Sequence, residues 1–323
     1  MVTLNDTAVG VAVQAPPIVA QLRGVFDSLD DEPLLQALIG PMRRGPKGHP
    51  VEVLRHCLVA KYVMGLESTA ALIRTLQNNP FIAEACGIPS PNCIPHEATF
   101  SRFFARLSKY QIAAKLKDVS RRLVRQHYQT IPGFGQRVAL DSTTLRGWVN
   151  GGKPNPSDKE AGWSVKKNTH GKTEFTLGWK LHLLVDCESE LPIAANVSPG
   201  NAHDASRASN VLSEARFTTS KFRPKYAMAD KGYSGKPLYN LIKRQYRAQP
   251  IIDPNASHKR YAADVAEMRQ TAGWQALYRQ RSSVERVNSR LKGQRSLNHI
   301  TVRGIRKVTA HCYLSLIAMQ VVK

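Results

Sequence analysis

Along the chain the apolar positions change period once. From Gln21 to about Thr130 they recur at helical spacing: Leu34, Leu35, Leu38 and Ile39, then Leu54, Leu58 and Tyr62, then Phe100, Phe103, Phe104 and Leu107. Gly65 is placed to end the second of these helices, and Ser68 to cap the next, over Thr69–Gln77. A basic Gly/Pro loop, Arg43-Arg44-Gly45-Pro46-Lys47-Gly48, divides the first two runs, and a Pro-rich connection (Pro89, Pro91, Pro95) precedes the phenylalanines. Residues 1–20 show no period and are expected to form a flexible tail. From Gly135 the texture becomes that of strands: Gln136–Leu145, Leu177–Asp186 and Leu191–Ser198 are apolar and β-prone between Gly, Pro and charged turns. A helix is predicted over Ala205–Ala215, a strand over Tyr226–Ala229, a helix near Pro237–Gln245, a strand over Ala248–Ile252, and helices from there on. Consecutive strands followed by alternating helix and strand predict an α/β domain, a mixed sheet covered by helices, over 131–323. An all-α N-terminal domain, 21–130, precedes it; its helix–turn–helix suits either the reading of a DNA end or dimerisation.

Charge narrows the partner. The 323 residues carry 46 Lys and Arg against 24 Asp and Glu, a net +22. The surplus is uneven: residues 1–40 hold Arg23 against five acids, whereas residues 243–307 hold fifteen basic residues against four acidic ones. Half of the excess in about a fifth of the chain is a localised footprint for a polyanion. Insertion into a membrane is not expected, because no run of about 20 apolar residues exists; Cys312–Val322 is too short and is expected to be a buried helix. With Arg23 the first basic residue and Asp6 ahead of it, no signal peptide is expected, and the protein is assigned to the cytoplasm. The five scattered cysteines do not form a disulfide framework, and Cys86, Cys93 and His96 lack the partner that would complete a zinc set.

Three acids stand out by position. Asp141 interrupts an apolar strand after Val138-Ala139-Leu140, and Asp230 ends the strand Tyr226–Ala229 ahead of a glycine turn, where α/β sheets bind ligands. Glu285 lies in LYRQRSSVERVNSRLKG, 277–293, where Arg281, Glu285 and Lys292 share a helical stripe with Tyr278 nearby, while Leu277, Val284, Val287 and Leu291 form a separate apolar stripe. A simple ion pair between Arg281 and Glu285 accounts for part of this pattern but not for the Tyr and Lys. The polar stretch from Gly147 to Lys172 holds Trp148, Trp163 and Lys153, Lys159, Lys166, Lys167 and Lys172, and reads as a long loop suited to stacking on DNA bases. Its Gly171-Lys172-Thr173 lacks the upstream glycine of a P-loop.

Together these residues resemble the DDE transposases of bacterial insertion sequences. The family's Tyr-x2-Arg-x3-Glu-x6-Lys signature is matched by Tyr278, Arg281, Glu285 and Lys292. Asp141-Ser142-Thr143-Thr144 is similar to its first strand motif, and Asp230-Lys231-Gly232-Tyr233 to its later one. Gly178–His182, Asn201-Ala202-His203-Asp204 and residues 34–107, ending in Ala98–Phe103, also match its pattern, so the likeness covers nearly the whole chain. Only 54 residues separate Asp230 from Glu285, so the large β-rich insertion of some relatives is absent or reduced.

The resemblance implies a ribonuclease-H-like catalytic domain and a transposase that cleaves the ends of its element and transfers the 3′-OH into target DNA. It implies Asp141, Asp230 and Glu285 as catalytic carboxylates holding two Mg²⁺ ions, with Mn²⁺ a substitute. Arg281 and Lys292 would hold DNA phosphates, and Tyr278 would contact DNA or pack. His203 and Asp204 would support the site from behind or simply form a turn. The implied partners are the terminal inverted repeats, target DNA and a second copy of the chain. A non-transposing nuclease of the same fold and a catalytically silent DNA-binding derivative are the alternatives.

Overall fold

The computed structural model describes residues 15–39, 48–150, 156–167, 171–254 and 267–322, with the backbone alone at Lys167. Residues 1–14 of the expected tail, Arg43–Lys47 of the basic loop, Lys153 and the side chain of Lys167 lie outside the described residues. The helical part comprises α1 (Pro17–Ser28), α2 (Glu32–Leu38), α3 (Val51–Val63), α4 (Thr69–Asn78), α5 (Pro80–Ala85), α6 (Glu97–Leu107) and α7 (Tyr110–Thr130). α1 starts inside the stretch expected to be a tail. Pro17 fits its first turn, where no N–H is needed, and Val19, Leu22, Val25 and Phe26 make its buried stripe. The Ser68 side chain caps α4 by accepting from Ala71 N, and Gly65 adopts φ +67° just past α3.

The sheet contains β1 (Arg137–Arg146), β2 (Gly162–Lys167), β3 (Thr173–Asp186), β4 (Pro192–Pro199), β5 (Tyr226–Ala229) and β6 (Gln249–Ile252). β1 lies between β3, which is antiparallel to it, and β5, which is parallel; β6 extends the parallel side. On its far edge β3 pairs with β4 over residues 179–185 and with β2 over residues 173–178. At the junction of β2 and β4, Gly162, Gly178 and Gly200 bring three backbones into contact, and any Cβ there would collide with a neighbouring chain. β2 also corrects the expectation of a continuous loop over 147–172. Its alternation, Trp163-Ser164-Val165-Lys166, is short and two-sided, so it carries little hydrophobic signal.

Among the described residues five helices cover the sheet: α8 (Asp204–Thr218), α9 (Lys236–Asn240, continued by a π turn over Leu241–Gln245), α10 (Ala272–Arg279), α11 (Ser282–Gln294) and α12 (Ile305–Val321). Because strand side chains alternate, Val138, Leu140 and Leu184 face one way and join Val211, Leu212 and Ile242 of α8 and the α9 π turn. Ala139, Leu145, Trp179, Leu181 and Leu183 face the other way and join Val284, Val287 and Leu291 of α11. That second core runs on without a break through α12 into the N-terminal helices. α12 is buried at nearly every position from Val308 to Gln320 and packs against α3, α7 and β4, as its largely apolar sequence predicts. Polar ties cross the same seam: Tyr62 Oη to His311 Nδ1 at 2.8 Å, Arg295 donating to Val63 O at 2.9 Å, and Ser296 Oγ donating to Leu66 O at 2.8 Å.

Candidate active site

The strand register alone brings two acids together. β1 and β5 are parallel with Leu140 opposite Ala229, so the next positions along each strand are Asp141 and Asp230. Both sit where β1 separates the antiparallel and parallel halves of the sheet, at the carboxyl end of β5. Asp230 Oδ1 accepts from Gly232 N at 2.9 Å, which fixes its carboxylate against the turn that follows. Burial and the neighbouring Asp230 charge push the Asp141 carboxyl up to about 6, against the opposing pull of a Ser142 backbone hydrogen bond, Lys166 and Arg281.

Asp141 projects to the face covered by α11, and that helix supplies the other groups. Its polar stripe is Arg281, Glu285, Asn288 and Lys292, spaced by four, three and four residues. Asn288 Nδ2 donates to Asp141 Oδ2 at 3.4 Å, while the buried Asn288 Oδ1 has no partner. Lys292 Nζ donates to Thr144 O at 3.0 Å, and its pKa is lowered by burial and by Lys166. Lys166, on β2, therefore lies within electrostatic reach of both Asp141 and Lys292. Its β2 neighbour Ser164 places an Oγ 3.4 Å from Thr144 Oγ1.

Glu285 does not join the aspartates. Its side chain is 53% exposed, and Arg281 holds it at 2.7 Å in an i,i+4 ion pair. Among the described residues no three His, Cys, Asp or Glu side chains converge closely enough to bind a metal ion. The signature helix is also interrupted: Tyr278 ends α10, while Arg281 precedes α11. Tyr278 stacks on Trp274 with ring centroids 4.9 Å apart, and Arg281 lies 5.8 Å from the Tyr278 ring. Burial raises the Tyr278 phenol, and the Asp253 and Asp230 charges add to that rise.

His203 and Asp204 stand apart from Asp141, on the α8 side of the sheet. His203 is exposed and precedes α8 without capping it through its side chain. Asp204 accepts from Lys180 Nζ at 3.1 Å and lies 3.7 Å from His182 Nδ1. Burial holds His182 neutral, near a pKa of 4, and its Nε2 meets Ser198 Oγ at 2.8 Å. Tyr233, buried and hydrogen-bonded to Ser142, lies between this cluster and the aspartate pair, feeling the charges of Asp141, Asp204 and Asp230.

The donor chemistry suits a hard divalent cation. Asp141 and Asp230 offer acceptor oxygens whose mutual repulsion a cation would relieve, and the orphaned Asn288 Oδ1 is a further oxygen beside them. Asn288 is absent from the residues singled out by sequence; Lys166 appears there only as one lysine of the 147–172 stretch, and Lys180 and His182 only as part of a matched motif. Asn288 falls on the Arg281–Glu285–Lys292 stripe and was recoverable from helical spacing; Lys166 depends on the β2–β3 register, which nothing local announces.

Residues 132–321 match the family model described as a transposase DDE domain, and residues 14–106 match one described as a transposase domain. No curated protein matches the chain. Among the described residues no helix is long and apolar enough to cross a membrane. With a mixed sheet flanked by helices, an acidic pair at its centre and family models spanning both halves, the chain belongs to the insertion-sequence DDE transposases, and its catalytic domain has their ribonuclease-H-like fold.

Proposed function

We propose that this transposase cleaves DNA at the ends of its element and joins the freed 3′-OH to target DNA, using Asp141, Asp230 and Glu285 as its catalytic carboxylates. The observation that carries the reading is the Asp141–Asp230 pair, set side by side by the parallel register at the centre of the sheet. Members of this family depend on divalent metal. When bound, two Mg²⁺ or Mn²⁺ ions would supply neutralisation of charge on the attacking and leaving oxygens of an in-line displacement. The residues that would hold them are Asp141 and Asp230, with Asn288 Oδ1 as a neutral donor and Glu285 as the third carboxylate.

Glu285 reaches that role by leaving Arg281. An exposed i,i+4 pair is worth only about 0.3–0.5 kcal/mol, so a DNA phosphate that takes the guanidinium bidentately can displace it. Lys292 and Lys166 flank the scissile phosphate as point charges, and Tyr278, stacked on Trp274, supports Arg281. Asp204 acts at a distance, through Lys180 and His182, by holding the start of α8 against β3. The DNA consists of the terminal inverted repeats and the target, and two copies of the chain act on paired ends.

Purified protein incubated with labelled duplex from the element's terminus, with and without Mg²⁺, tests the reading. Cleavage followed by strand joining, both metal-dependent, is the expected result. Cleavage without joining assigns a nuclease, and binding without either reaction assigns a catalytically silent DNA-binding protein.

A further inference from the structure

An open cleft of about 390 Å³ lies between the N-terminal helices and the segment that enters α12, with Trp148 at its edge. Lys61, near the end of α3, Ser68 at the start of α4, and Thr301 and Lys307 from the segment entering α12 contribute to its lining, with the exposed Trp148 and Glu97. Lys61 is the unusual member. It is only 5% exposed, and its Nζ lies 4.4 Å over the Tyr62 ring. Among the described residues it meets no carboxylate and no hydrogen-bond acceptor, and burial lowers its pKa to about 8. A buried ammonium without an anion is unfavourable, so its open side is a ready place for one. The first turn of α4 adds N–H groups at the same wall, since Ser68 satisfies only that of Ala71. Glu97, exposed in the first turn of α6, is the one acid among the lining residues.

The cleft is also linked to the acidic pair through the chain. β1 runs from Asp141 past Thr144, whose carbonyl accepts from Lys292, and the chain reaches Trp148 seven residues after Asp141. Arg303, just before α12, donates to Trp148 O at 3.1 Å and so ties the Trp148 wall to the Thr301–Lys307 wall. The cleft is open, carries two lysines, and draws Lys307 from the basic stretch 243–307.

We propose that this cleft is a second DNA-contact site, taking the phosphodiester backbone of the duplex that leaves the carboxylate pair, with Lys61 and Lys307 each against a phosphate. The proposal rests on the reading of the protein as one that acts on DNA. It makes Lys61 a binding residue outside the signature helix, on an element from the helical region. One duplex thereby spans both halves of the chain.

The test is fluorescence anisotropy of the full chain on a labelled duplex of arbitrary sequence, across a salt series. Lys61→Met removes the charge while keeping an apolar stem of similar length, and Lys307→Met does the same on the opposite wall. Each is expected to weaken binding several-fold near 0.1 M salt and to lower the slope of log K against log salt by about 1. Lys61→Arg is expected to retain the wild-type slope. Unchanged affinity and slope in Lys61→Met overturn the proposal, as does a Lys61→Arg variant that loses as much as Lys61→Met, because packing rather than charge is then responsible. If the wild type itself fails to bind the duplex, the underlying DNA reading falls; if the wild type binds and Lys61→Met matches it, only the cleft falls.

Discussion

The two aspartates and the glutamate of the proposed triad are held in opposite ways. Asp141 and Asp230 sit on adjacent parallel strands, where the register leaves them no freedom to separate; one of them is largely buried and has its pKa raised as a result. Glu285 sits on a helix, half-exposed and already satisfied by Arg281 one turn away. On the reading proposed above, the difference gives the site a fixed half and a movable half. The fixed half stores unfavourable electrostatics in the folded state. The movable half stays in a shallow ion pair until something competes for Arg281.

The sharpest way to break this contrast is chemical. Asp141→Asn or Asp230→Asn is expected to reduce end cleavage on the order of 10³-fold while leaving DNA binding at the wild-type level. Glu285→Gln is expected to do the same if the movable acid joins the fixed ones during the reaction. Cleavage that survives Glu285→Gln, measured under the same conditions, would confine catalysis to the strands. A smaller loss, about 10–100-fold, is expected for Asn288→Ala, which removes the amide beside Asp141 without touching a carboxylate; an unaltered metal-concentration dependence would count against its oxygen as a donor.

Stability sharpens the comparison further. Because the Asp141 carboxyl titrates near 6 in the folded protein and near 3.9 in an unfolded chain, the native state binds that proton more tightly. Stability from this group is fully present below about pH 4 and is lost as pH rises to about 6. Asp141→Asn escapes the loss. It is expected to melt a few degrees higher than wild type at pH 7, equivalent to roughly 2–3 kcal/mol, and to show no advantage at pH 4. Thermal melts at the two pH values decide this, and a gain that is equal at both would refute the electrostatic cause. The smallest effect belongs to Glu285: Glu285→Gln is expected to change stability by no more than about 0.5 kcal/mol, since it weakens one half-exposed i,i+4 pair, which thermal melts can check.

The strand acids were visible in sequence because a lone Asp inside or just after an apolar strand has few structural reasons to be there. The spacing of Arg281, Glu285 and Lys292 was equally visible, because helical periodicity is local. What sequence did not reveal depends on register between distant segments. Lys166 comes near Asp141 and Lys292 only because β2 pairs with β3, and β2 itself has too little apolar alternation to stand out from a loop. Asp204 was paired in sequence with His203, yet the start of α8 turns it toward Lys180 and His182 of β3. Glu285 and the aspartates belong to one family pattern in sequence but not to one cluster in space, where Glu285 pairs with Arg281 instead.

The unbroken core running from the sheet through α12 into α3 and α7 has a practical corollary for anyone dissecting the protein. A cut between residues 130 and 131 severs one peptide bond and strips the cover that α3 and α7 give to α12. The liberated catalytic fragment would show a broad greasy flank to the solvent and should precipitate or self-associate on expression. Co-expressing the two pieces, so that the helical fragment can reassemble on that flank, is the route to a soluble split version of the enzyme.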